Sequence, residues 1–198
     1  MNISKTLNTW EVKKEAYYKW FYELTWVKKS LFCLGMATIT GICAQIRIPL
    51  PFTPVPITGQ VLTVLLAGVL LGRLYGGLSM LLYLLLGSAG VPWFAGASGG
   101  LPIGPTAGYI VGFIPAALFI GWATQRYHKT HQFLPLIGLM MIAVFIIYFF
   151  GAVNFALLMK TDFSQTIGMA VIPFIPGDFF KALMAASIAR VALPRRSL

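Results

Sequence analysis

Charge is what this sequence lacks most. Asp, Glu, Lys and Arg make up 10 % of its 198 residues, against 58 % apolar residues, whereas a soluble domain carries about 25 % charged residues. So few polar groups cannot cover a water-soluble protein of this size, and a mean hydropathy of +0.81 points the same way. Acidic residues are the scarcest, five in all. Only Asp178 of these falls within an apolar stretch, where a proton-coupled carrier usually shows several carboxylates. The two cysteines, Cys33 and Cys43, lie in one apolar run, about 15 Å apart along a helix and beyond disulfide reach. Residues 1–29 contain no apolar h-region, so no signal peptide is expected. No G-x-x-x-x-G-K-[ST] loop is present to bind ATP phosphates. No His/Cys/carboxylate cluster suggests a metal, and no cofactor is implied.

What the sequence has in abundance is long apolar runs. A helical span takes about 20 mostly apolar residues, and six fit: 30–48, 58–72, 74–90, 106–124, 134–158 and 173–193. The predicted fold class is an all-α polytopic membrane protein. The second and third spans are separated at Leu71-Gly72-Arg73-Leu74-Tyr75-Gly76-Gly77, read as a turn because Arg73 would be costly mid-bilayer. The net charge of +10 suits membrane orientation better than nucleic acid, since the charges gather at segment ends. Twelve Lys and Arg residues, among them Lys28, Lys29, Arg73, Arg126 and Arg190, sit at one set of ends. Only Arg47 and Lys160 sit at the other, and Lys181 lies inside a span. The positive-inside rule then places both termini in the cytoplasm, with 48–58, 88–105 and 159–172 facing outward. Residues 1–29, with Trp10, Tyr17, Tyr18, Trp20, Phe21, Tyr22, Leu24 and Trp26 among lysines, suit a helix in the lipid interface or a partner-docking segment. Residues 30–193 form the substrate-binding domain in this reading, and 194–198 a basic tail.

Two outward connections are unusual. Pro49-Leu50-Pro51-Phe52-Thr53-Pro54-Val55-Pro56 must be stiff and extended. Residues 87–105 are uncharged and apolar yet full of glycine and proline, a composition tolerated at membrane depth where it lines a cavity or is buried by protein. Within it, Gly96-Ala97-Ser98-Gly99 has the form of a rhomboid-protease nucleophile motif. A serine nucleophile needs a base within hydrogen-bond reach, and the only histidines, His128 and His131, fall in a loop on the far side. An enzyme is therefore not expected.

The strongest chemical signal is Pro176-Gly177-Asp178-Phe179-Phe180-Lys181. Asp178 and Lys181 share a helix face in the outer half of the last span, where ionisable residues usually face a cavity. A helix cap with a structural ion pair is the plainer alternative. Gln60 and Tyr109 fall in the same outer half. So does Asn154, which suits ligand contact or helix–helix glue equally. Small residues recur at every fourth position in Cys33/Ala37/Gly41, Gly68/Gly72/Gly76 and Gly108/Gly112/Ala116. Such faces allow close helix packing, internally or against another subunit.

Taken together, Tyr83-Leu84-Leu85-Leu86-Gly87, Gly90-Val91-Pro92-Trp93-Phe94-Ala95-Gly96, Gly104-Pro105-Thr106-Ala107-Gly108-Tyr109 and Pro176-Gly177-Asp178-Phe179-Phe180-Lys181-Ala182 resemble the BioY family over roughly residues 30–192. Members are biotin-binding S components of energy-coupling factor (ECF) transporters. The resemblance implies a six-helix cell-membrane protein that captures biotin from outside. Its implied partners are biotin, the lipid bilayer, a transmembrane coupling subunit and two cytoplasmic ATPases, with no nucleic acid. It places Asp178 and Lys181 in the ligand site; Trp93, Phe94, Phe52 and Tyr109 suit apolar walls for the rings of biotin. It assigns Cys33, Ala37 and Gly41 to contact with the coupling subunit. An S component for another vitamin, or a free-standing facilitator or secondary transporter, is the alternative.

Overall fold

The computed structural model describes residues 16, 19–21, 23–127 and 132–192. The basic tail at 194–198 and most of the aromatic N-terminal segment lie outside the described residues. The chain runs α1 (Trp26–Gln45), β1 (Arg47–Leu50), β2 (Thr53–Thr58), α2 (Gln60–Ser88), α3 (Ala107–Arg126), α4 (Phe133–Met159), α5 (Phe163–Ala170), a 3₁₀ turn (Ile172–Phe174) and α6 (Ile175–Ala192). Among the described residues, five stretches are long and apolar enough to cross a membrane, the last of them running through α5, the turn and α6.

One of the five, α2, is folded double. Gly72 sits inside it at φ 75° and ψ −176°, a conformation essentially restricted to glycine. A Cβ on Gly76 would come within 2.8 Å of Gly68 Cα, whereas eight residues of straight helix span about 12 Å. Gln60 at one end of α2 also bonds Tyr83 near the other. The arms 60–71 and 73–88 thus run antiparallel, joined at the expected turn, so the five stretches supply six membrane-scale segments among the described residues. The Gly68/Gly76 contact also explains one small-residue face: it closes this turn.

Helix α2 packs against α3 and α1, α3 packs against α4, and α6 closes on α2 and α4. Close approach again uses small residues, since a Cβ on Gly108 would strike the Phe150 carbonyl on α4. The proline-rich segment is extended, and it is also paired. β1 and β2 form an antiparallel hairpin with Arg47 opposite Thr58 and Ile48 opposite Ile57. The connection expected at 159–172 contains α5, whose N-cap Asp162 accepts from the Gln165 N–H at 2.8 Å.

In and just before the first helix, two groups of residues point into the bundle. Cys33, Ala37 and Gly41 face inward and are buried: Cys33 Sγ donates to the Tyr75 carbonyl, and Trp93 sits so close over Gly41 that a Cβ there would come within 2.7 Å of its own Cβ. The small residues serve internal packing, and the face left open carries Leu31, Leu34, Thr38 and Ile42. Phe21, assigned to the lipid interface, is instead buried against Cys33 and Leu71, with its ring edge-on to Phe32 and Tyr75.

Candidate ligand-binding cavity

The hairpin, the glycine-rich loop, the N-terminal ends of α2, α3 and α6 and the middle of α4 line a cavity of about 470 Å³, within the range of small-molecule sites. Its walls are mostly uncharged: Leu50 and Thr53–Thr58 from the hairpin, Phe94, Ala95 and Ser98–Pro105 from the loop, and Tyr109, Ile110, Phe113, Ile147 and Phe174 from the bundle. Three charged residues line it, Arg47, Asp178 and Lys181.

Asp178 lies in the first turn of α6, where the helix dipole favours an anion. It is 3 % exposed and holds one partner on each oxygen. Lys181 Nζ donates to Oδ1 at 2.7 Å, and the Tyr148 hydroxyl donates to Oδ2 at 2.7 Å. A carboxylate has about four acceptor positions and an ammonium three donors, so both keep capacity toward the cavity. The pair reaches this depth because the chain breaks before it. Pro173 and Pro176 interrupt the run from α5, the 3₁₀ turn re-aims the backbone, and α6 starts afresh.

Tyr109, at the start of α3, donates to the Ala170 carbonyl at 2.5 Å and meets Phe174 edge-on. Its ring lies directly on Gly151 of α4, leaving no space for a side chain there. Gln60 accepts from Thr58 Oγ1 at 2.7 Å and donates to the Tyr83 hydroxyl at 2.7 Å. That hydroxyl donates onward to the Trp93 carbonyl at 3.2 Å. Gln60 therefore lines the cavity with most of its amide already committed.

The structure brings Asp178, Lys181, Tyr109, Gln60 and Phe94 together at the cavity. It does not bring Trp93, Phe52 or Asn154 there. Trp93 stacks behind the wall on Tyr83 and donates Nε1–H to the Tyr83 carbonyl. Phe52 lies at the hairpin tip, 54 % exposed. Asn154 is spent on the loop, its Nδ2 donating to the Gly104 carbonyl at 3.1 Å. Sequence reasoning missed Tyr148, hidden in the aromatic run Phe145–Phe150 and 30 residues from Asp178. It also read Arg47 only as a flanking charge. Its place at the start of a proline-rich hairpin was the available clue.

Residues 12–197 match the model of the BioY family. The chain is 44 % identical over 139 residues to the probable biotin transporter BioY of Methanothermobacter thermautotrophicus, covering 66 % of this chain and 88 % of that one. It is 36 % identical over 171 residues to the biotin transporter BioY of Rhizobium etli, covering 82 % and 91 %. Among solved structures it resembles an S-component for biotin from an ECF-type ABC transporter, with a TM-score of 0.77 at 27 % identity, covering 84 % of this chain and 93 % of that one. These relatives are transporters, not enzymes.

Proposed function

The chain belongs to the BioY family, and on that premise we propose that it captures biotin at the outer face of the cell membrane and delivers it inward with an ECF coupling subunit and two ATPases. The observation that carries the ligand is one ion pair, Asp178–Lys181, set in a mostly uncharged cavity and buttressed by Tyr148. Biotin has two ureido N–H donors, one ureido carbonyl, an apolar thioether ring and an anionic tail. The open lone pairs of Asp178 suit a ureido N–H, and the spare N–H groups of Lys181 suit the ureido carbonyl. Arg47, on a separate element of the cavity wall, supplies a guanidinium for the carboxylate. Tyr109, Phe113 and Phe94 offer apolar surface for the rings.

Two further features support the partners. No phosphate-binding loop occurs in the sequence, so energy must come from other subunits if uptake is ATP-driven. The first helix leaves a wide face unpacked, its apolar window only 28 % buried. We place the coupling-subunit contact on that open face, at Leu31, Leu34, Thr38 and Ile42, and not at Cys33, Ala37 and Gly41. Residues 30–193 are the transport domain in this reading, and the basic aromatic segment before it holds the cytoplasmic membrane surface.

The test is to purify the chain, add labelled vitamins singly and measure which is retained. Retention of biotin alone is the expected result. Retention of thiamine or riboflavin in its place would overturn the ligand assignment.

A further inference from the structure

Helix α1 contributes no residue to the cavity, yet its last residue holds the cavity's wall. Gln45 Nε2 donates to the Phe94 carbonyl at 3.1 Å and the Trp93 carbonyl at 3.3 Å, as well as to Gly41 within its own helix at 3.0 Å. Its Oε1 accepts the Ala97 N–H at 2.8 Å. One amide thus bonds three residues of a loop about fifty positions away. Ala97 is also the strained point of that loop: its φ of 54° is uncommon for a residue with a Cβ and persists only where neighbours hold it.

Other anchors lie on either side. Phe94 is packed into a space over Gly87 that admits no side chain, and Gly100 N–H bonds the Gly87 carbonyl at 2.8 Å. Between them, the wall residues Ala95 and Ser98 are held by a short bridge, Phe94 N–H to the Ser98 carbonyl at 2.9 Å, by the Ser98 hydroxyl donating to the Ala95 carbonyl at 3.2 Å within the loop, and from outside the loop by Gln45.

We propose that Gln45 is a positioning residue, a latch that ties the 95–99 wall to α1 and sets how fast the cavity opens. It touches no ligand. It holds a strained loop segment shut, and its release lets that segment lift while Phe94 stays seated. Because Gln45 is exposed, replacing it opens no hole in the core, and the fold survives the test.

The experiment uses the full chain in lipid nanodiscs, comparing parent, Gln45→Leu and Gln45→Glu. Amide hydrogen exchange is read without ligand, so this arm stands whatever the cavity binds. Exchange across 95–99 is expected to quicken at least about fivefold in Gln45→Leu, from loss of the tethering hydrogen bonds, with α3 and α4 unchanged. Gln45→Glu, which keeps the acceptor for Ala97 and loses the donors, falls between. Unchanged exchange at 95–99, or faster exchange throughout the bundle, overturns the latch. A second arm rests on the biotin reading and measures dissociation of labelled biotin, expected to quicken in the same order. A parent that retains biotin while the variants release it at the parent rate contradicts the latch. A parent that retains none contradicts the biotin reading, and the exchange arm still decides the latch.

Discussion

Asp178 and Lys181 each depend on the other. Removing one partner of a buried pair leaves the other uncompensated, typically at a cost of about 3–5 kcal/mol, so single substitutions must be assayed for folding as well as binding. Asp178→Asn is expected to weaken both biotin and desthiobiotin, which shares the ureido ring, in equilibrium binding. If Lys181 meets the ureido carbonyl while Arg47 meets the tail, Lys181→Met weakens biotin and its uncharged amide alike. Arg47→Gln then weakens biotin far more than the amide. The reverse pattern would move the carboxylate to Lys181. Tyr148→Phe removes one donor to a buried charge and should cost about 1.5–3 kcal/mol of stability or affinity, read by thermal unfolding with and without biotin. The pair itself was legible in the sequence because charges in an apolar helix stand out. Tyr148 was not, since a phenol among phenylalanines signals nothing until its hydroxyl finds a partner.

The elements owe their shape to a few interruptions. The turn at Gly72 is the sharpest: Gly72→Ala puts a Cβ into a glycine-only backbone state, at about 1–3 kcal/mol. Gly138→Ala is the matched control, for it lies inside α4 with nothing near its missing Cβ. Thermal unfolding in detergent should therefore fall for Gly72→Ala and hold or rise for Gly138→Ala. Equal effects would mean that the turn tolerates a side chain. This turn could be read ahead because Arg73 had to leave the bilayer. The β-hairpin was half legible: prolines dictated extension, but the pairing of Arg47 with Thr58 depends on a tip that only the folded backbone defines. The inward turn of Cys33, Ala37 and Gly41 was one of two readings the sequence left open, internal packing or a subunit contact. A small-residue stripe marks close approach without saying to what, and here Trp93, half a hundred residues on, fills the space.

The bundle as a whole follows from scarcity of charge, which is why six spans and an all-α fold were legible from composition and breakers alone. Its orientation rests on basic asymmetry. With the cavity facing outward, a cysteine introduced at Ser98 or Gln165 should react with an impermeant reagent in intact cells, and one at Ser197 should not. Labelling at Ser197 would invert the molecule and move the cavity to the cytoplasmic side. This cavity alone, without ATP or partner subunits, is expected to hold biotin. Equilibrium titration of the purified chain with biotin in detergent tests it most directly. The expected Kd lies in the nanomolar range, about −12 kcal/mol at 1 nM. A Kd weaker than about 10 μM, roughly −7 kcal/mol, would contradict it.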